Sequence, residues 1–226
     1  MHDTGVSGDG SDATGDAGDP GGDTGPARED LTERVIDSRV VHRGGYLEVR
    51  VERIERADGS QADRDIVGHP GAVAIVALDA RDRVLLVRQY RLAAGRPLLE
   101  IPAGGLDVPD DGGEREDPEL AARRELEEET GSRAATWRKL GSFWTAPGFA
   151  TELMHLYLAT GLEAVAADGR LAPDEDERLE LVRMPWREAI ELVERGEIRD
   201  AKSIVGLFWL ARVMGSGPEP AATEVG

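Results

Sequence analysis

No cysteine occurs among the 226 residues. Disulfides, thiolate zinc sites, iron–sulfur clusters and a thiol nucleophile are therefore excluded together. Histidine is scarce, with four residues, which disfavours a His-rich metal centre. Lysine is scarcer still: Lys139 and Lys202 are the only two of the 27 basic residues that are not Arg. No Gly-Lys pair exists, so a P-loop is ruled out. No apolar run reaches the ~18 residues of a membrane-spanning helix. The N-terminus lacks the basic-then-apolar pattern of a secretory signal, and the expectation is a soluble cytoplasmic protein. Positive charge is in deficit, with 45 acidic residues against 27 basic ones and a net charge of −18. Such a surface argues against nucleic acid or an anionic membrane as partner, because both are held by excess Lys and Arg. A phosphate-bearing small molecule stays open, since a bound metal or a few well-placed arginines reverse the sign locally.

What is present divides along the chain. Residues 1–28 form a leader rich in Gly, Asp, Ser, Thr and Ala, with six Asp and no Lys or Arg in the first 27. It has too little apolar surface to offset its ordering entropy and is expected to be disordered. The tail from Gly215 to Gly226, with Pro218 and Pro220, is expected to behave likewise. Between them, Val35–Val41 and Tyr46–Ile54 alternate as half-buried strands. A turn at Ala57–Ser60 leads to a return strand at Asp65–Val67. Residues 34–68 thus form a small antiparallel unit ahead of a main domain over 69–214. There, Gly71–Leu78 and Val84–Tyr90 are strongly apolar strands, and Leu98–Ile101 is a shorter one. Strands are also expected over 136–144, 152–160 and 179–184, and helices over 118–130, 185–194 and 201–214. Strands and helices in this order predict an α/β (α+β) fold, a mixed sheet with helices on its faces.

The segment Pro118–Thr130 carries the chemistry. Asp117 suits the N-cap, Pro118 the first turn and Gly131 the C′ position of a helix. Within it, Glu125, Glu128 and Glu129 stand at i, i+3 and i+4 and share one face. Like charges at that spacing repel, by a few tenths of a kcal/mol per pair. A hard divalent cation, which takes carboxylate oxygens, would relieve them. Glu127 is expected to point elsewhere, into solvent. Before the helix, Leu99-Glu100-Ile101-Pro102-Ala103-Gly104-Gly105 reads as a strand entering a Gly-containing loop, and its glycines permit close backbone approach.

Glu116, seven residues, then Arg124-Glu125-Leu126-Glu127-Glu128-Glu129-Thr130-Gly131 resembles the signature of the Nudix hydrolase family. Two positions depart from it. The leading glycine would fall at Asp110, so Gly105 takes its place with a longer loop, and the final aliphatic position is Ser132. The resemblance implies a Nudix-type α/β/α sandwich and Mg²⁺ or Mn²⁺ dependence. Glu125, Glu128, Glu129 and the Ala103 carbonyl would be metal ligands, with Glu116 supporting them. Arg124 would pair with the carboxylates and, with Glu128, belong to the catalytic set.

Flanking segments resemble the ADP-ribose pyrophosphatase branch: His69-Pro70-Gly71-Ala72-Val73, Val87-Arg88-Gln89-Tyr90-Arg91, and Ala146-Pro147-Gly148-Phe149-Ala150-Thr151-Glu152. The acidic run Asp174–Glu177 fits too. This implies a small-molecule nucleoside diphosphate substrate, cleaved from ADP-ribose to AMP and ribose 5-phosphate. Glu152, on a Pro-Gly loop long enough to swing, becomes the candidate base. Arg91, Arg88, Glu100, Gly104, Gly105 and Phe149 are candidates for substrate binding. Phe149 either stacks on the base or anchors its loop. Trp137 and Trp144 are expected in the core. The N-terminal unit resembles one that exchanges across a homodimer. A Nudix enzyme acting on a nucleotide sugar or NADH, or a non-catalytic ligand-binding module, are the alternatives.

Overall fold

The computed structural model describes residues 30–109, 113–166, 171 and 178–215. The leader, the tail beyond Gly215, the Asp174–Glu177 run and Asp110 lie outside the described residues.

Strands β1 (Glu33–Arg43), β2 (Glu48–Arg56) and β3 (Gln61–Gly68) form an antiparallel meander in the order β1-β2-β3. Alternation makes them strands, but only Ile54 of this unit is buried. Its cohesion comes largely from ladder hydrogen bonds and cross-strand Arg–acid pairs such as Arg53–Asp63 and Arg64–Glu33.

The second sheet holds β4 (Ala72–Leu78), β5 (Arg83–Arg91), β6 (Arg96–Glu100), β7 (Ala103–Gly105), β8 (Ser132–Trp144), β9 (Leu153–Ala164) and β10 (Glu180–Pro185). Its main order is β10-β5-β4-β9-β8, with β6 beside β5 and β7 beside β4. The β4–β9 pair is parallel and the other pairs are antiparallel, so the sheet is mixed as expected. Every residue of β4 is buried, because helices cover both faces. Val73, Ile75 and Ala77 pack toward α1 (Pro118–Thr130), against Ala121, Ala122 and Leu126. Ala72, Ala74, Val76 and Leu78 pack toward α2 (Trp186–Glu194) and α3 (Ala201–Gly215), against Trp186, Leu207 and Leu210. The two-residue strand period thus splits one apolar run between two cores and makes an α/β/α sandwich. Gly206 lets α3 sit close: a Cβ there would stand 2.8 Å from Ile101 Cδ1.

Helix α1 has the expected ends. The Asp117 carboxylate accepts from the N–H groups of Glu119 and Leu120 at 2.8 and 3.1 Å. Gly131, at φ 63°, donates its N–H to the Glu127 carbonyl and turns directly into β8. The buried hydroxyl side chain of Ser132 occupies the position where an aliphatic residue was expected. Most boundaries differ from the sequence reading by a few residues; β3 is Gln61–Gly68 rather than Asp65–Val67, and β9 runs on to Ala164. Ala103–Gly105 is strand rather than loop, because pairing with β4 outweighs the low strand propensity of glycine. Ile101 lies just past β6, β8 starts four residues early at Ser132, and α3 keeps Gly215.

Candidate active site

The carboxylate face of α1 is roofed by β7. Gly104 lies so close that a Cβ would fall 2.0 Å from the Glu125 Cδ atom. The Ala103 N–H donates to Glu129 Oε2 at 3.1 Å, and Glu129 is 3% exposed. These two contacts bring Glu125, Glu129, Ala103 and Gly104 together. Any residue but glycine at position 104 would displace Glu125.

Arg124 organises the other carboxylates. Its Nη1 donates to Glu125 Oε1 at 2.8 Å and to Glu128 Oε2 at 2.9 Å. Its Nη2 reaches Glu116 Oε2 at 2.9 Å and the Gly105 carbonyl at 3.2 Å. Burial alone would lower the guanidinium pKa, but the Glu116 hydrogen bond and the charges of Glu125 and Glu116 raise it. Burial likewise opposes the Glu116 charge, while hydrogen bonds from Arg124 and the Asp107 N–H hold its carboxyl below the usual range. Among the described residues no three His, Asp or Glu side chains stand ready-gathered as a metal cage. The guanidinium occupies the space between Glu116, Glu125 and Glu128. The donor chemistry nonetheless suits a hard divalent cation: all are carboxylates, and one guanidinium faces three of them.

Glu127 corrects the sequence reading. It is 5% exposed rather than solvent-facing, because Arg133 at the start of β8 grips it at 2.6 and 2.9 Å. The helix turns directly into β8, which brings that Arg back onto α1.

Glu152 is held from both sides. Thr145 Oγ1 donates to its Oε2, and His69 Nε2 lies 3.3 Å from its Oε1. The loop before it is stitched to the β3–β4 junction rather than free to swing. Val67 N–H donates to the Phe149 carbonyl at 2.7 Å, Thr151 N–H to the Val67 carbonyl at 3.0 Å, and His69 N–H to Thr151 Oγ1 at 2.8 Å. Tyr46, in the connection between β1 and β2, lies edge-on to His69 with ring centroids 5.0 Å apart. A Cβ on Gly105 would fall 2.4 Å from the Tyr46 hydroxyl. Burial, then the charges of Glu152, Glu125 and Asp107, push its phenol up to about 12. Tyr46 therefore feels Glu152 and the α1 carboxylates together and joins the two units at the site.

Arg91 does not stand open for a ligand. Its Nε and Nη2 fork onto Glu100 at 3.0 and 2.7 Å. Glu100, 1% exposed, also accepts from Lys202 Nζ of α3 at 2.6 Å. Lys202 in turn lies 3.0 Å from Asp200. Arg88 sits on an exposed strand position 3.4 Å from Glu180. Phe149 is exposed, and its contribution to the loop is through its backbone carbonyl. Trp144 is 53% exposed and not in the core. It lines a groove of about 660 Å³ with Pro70, Leu106, Arg115, Glu116 and His155. Sequence reasoning missed Tyr46, His69, Thr145 and Lys202 as site residues. The scarcity of lysine was the one signal that set Lys202 apart.

A mixed-sheet sandwich that closes a Gly-bearing strand over an acid-rich helix is the architecture of a Nudix domain. Residues 68–205 match the NUDIX domain, and residues 33–67 match the nucleoside diphosphate sugar hydrolase N-terminal domain. The chain belongs to the Nudix hydrolase family. It is 37% identical to an ADP-ribose pyrophosphatase of Bacillus subtilis (strain 168), over 80% of this chain and 94% of that one. It is 39% identical to an ADP-ribose pyrophosphatase of Mycobacterium tuberculosis (strain ATCC 25618 / H37Rv), over 84% and 89% respectively. A crystal structure described as an ADP compounds hydrolase superposes with a TM-score of 0.70 at 24% identity, covering 84% of this chain and 99% of that one. That likeness bears on the fold. No helix among the described residues is long and apolar enough to cross a membrane.

Proposed function

We propose that the chain hydrolyses the diphosphate of ADP-ribose to AMP and ribose 5-phosphate. The observation that carries this reading is the carboxylate face of α1 under β7, with Gly104 against Glu125, in a chain so similar to two ADP-ribose pyrophosphatases. Glu125, Glu128, Glu129 and the Ala103 carbonyl would hold Mg²⁺ or Mn²⁺, with Glu116 in support. Such a cation neutralises diphosphate charge and acidifies water. The protein's own groups supply the rest. Glu152 accepts the proton of the attacking water, whose oxygen forms a new bond to phosphorus as the bridging P–O bond breaks. Arg124 keeps Glu116, Glu125 and Glu128 in place, and its charge offsets part of theirs. Gly104 and Gly105 let the backbone approach the diphosphate. Arg91 or Arg88 would reach it only by leaving its present carboxylate partner.

The test is incubation with ADP-ribose, Mg²⁺ and ¹⁸O-water, with mass analysis of products. Equal AMP and ribose 5-phosphate, one of them labelled, is the expected result. Cleavage of GDP-mannose or NADH in place of ADP-ribose would move the substrate within the family. No turnover of any of the three would make the chain a binding module.

The N-terminal unit supports a homodimer. Val35, Val40 and Val41 of β1 and Leu47 are exposed, an apolar surface that a second copy would cover. Light scattering at micromolar concentration should give twice the 24.3 kDa chain mass, and a monomer would refute it.

A further inference from the structure

We propose that His69 is a positioning residue for Glu152, holding that carboxylate in its working orientation through a single imidazole tautomer. The proposal rests on the reading of Glu152 as the base. The geometry selects the tautomer. The Gly71 N–H donates to His69 Nδ1 at 3.0 Å, so Nδ1 is an acceptor and carries no hydrogen. In the neutral ring the proton then resides on Nε2, which faces Glu152 Oε1 at 3.3 Å. Backbone groups fixed by the fold thus decide which face of the imidazole is the donor.

Three further features hold the ring. Its own N–H and carbonyl are clamped by Thr151 Oγ1, at 2.8 and 3.2 Å. Tyr46 packs edge-on against it. Gly71, at φ 107°, supplies a backbone conformation that other residues rarely adopt. Burial lowers the His69 pKa and favours the neutral ring, while the charge of Glu152 works the other way. Thr145 holds the second oxygen of Glu152. A carboxylate has about four lone-pair sites, so with Thr145 and His69 beside it others stay open to accept a proton from water. His69 acts through Glu152 by restricting rotation of that side chain, and so converts a loop residue into a preorganised one.

Replacement separates positioning from mere support. His69→Ala removes the donor. His69→Gln keeps an amide N–H near the place of Nε2. With ADP-ribose, His69→Ala should lower kcat about 10- to 100-fold with KM within about twofold, the range for a group that orients a reacting one. His69→Gln should recover most of that loss. In a Glu152→Gln background, His69→Ala should lower kcat no further, since the two residues act as one unit. The ¹⁵N spectrum of the His69 ring should report a bare Nδ1 and a protonated Nε2. Wild-type kcat in His69→Ala, equal damage in the Ala and Gln variants, additive losses in the double variant, or the opposite tautomer would each overturn the proposal. Failure of the underlying reading looks different. Glu152→Gln alone would then turn over like wild type, which removes the base assignment and the positioning role with it.

Discussion

Two ionic networks lie near β6 and β7, built from the same residue types but differently balanced. In one, Glu100 and Asp200 meet Arg91 and Lys202, two carboxylates with two cations. In the other, Arg124 meets Glu116, Glu125 and Glu128. The first network balances its charges within the fold and ties β5, β6 and α3 together. The second keeps an acidic surplus and lies beneath a strand whose glycines admit close approach. Like charges concentrated on one helix face cost stability. On the proposed reading a divalent cation would offset the acidic face, whereas the balanced network serves as a joint.

The sharpest way to break this contrast is Glu129→Gln. The amide carbonyl can still accept from the Ala103 N–H, so the roof over α1 should remain. What is lost is a negative charge that, on the proposed reading, would hold metal. Turnover of ADP-ribose should fall about a thousandfold or more, the several kcal/mol that a bound metal contributes to such a reaction. The thermal midpoint should move by only about 3 °C or less. Initial rates and a melting curve on one preparation decide it. Near wild-type turnover would show that the acidic surplus is only a solvated helix face.

The acidic surplus was legible before any coordinates, because an i, i+3, i+4 spacing on a capped helix has one geometric meaning. Asp117, Pro118 and Gly131 set the ends of α1, and the face followed. The balanced network was not legible. Arg91, Glu100 and Lys202 span 111 positions along the chain (202 − 91), and no local period relates them. Glu127 misled for a similar reason. Helical geometry turned it away from the other glutamates, but whether that side meets solvent depends on where β8 goes, and β8 brings Arg133. Ala103–Gly105 looked like a loop because glycine lacks strand propensity, while its pairing partner β4 lies 29 residues earlier (103 − 74). Tyr46 and His69 reach the site through the junction of two units, a contact that no motif encodes. The acidic face and Arg124 are local and readable; Tyr46 and His69 are placed by tertiary contacts.

The balanced network yields the smaller and more graded effects. Lys202→Met keeps an unbranched side chain one atom shorter and removes one of the two cations on Glu100. Removing a partner from a buried pair costs about 3–5 kcal/mol, and the retained Arg91 fork places this variant near the low end. A loss of about 3 kcal/mol lowers the melting midpoint by about 6–12 °C in a chain of this size. The pH dependence then tests the assignment itself. Burial works against the Glu100 charge, but the Arg91 hydrogen bonds and the Lys202 charge hold its carboxyl below the ordinary 4.5. A carboxyl depressed in the folded state contributes stability that is complete above about pH 4.5 and lost as pH falls from there through the folded value. Wild-type stability in urea should therefore decline below that point, by at most about 1.4 kcal/mol per pH unit for this one proton. In Lys202→Met one of the depressing charges is gone. The folded carboxyl rises toward its ordinary value, and the same decline becomes shallower and contributes less in total. Urea curves at pH 7, 5 and 4 for the two proteins measure this difference directly. Stabilities that fall in parallel across the range would mean that Lys202 and Glu100 are neighbours without being partners, and the contrast between the two networks would lose its second half.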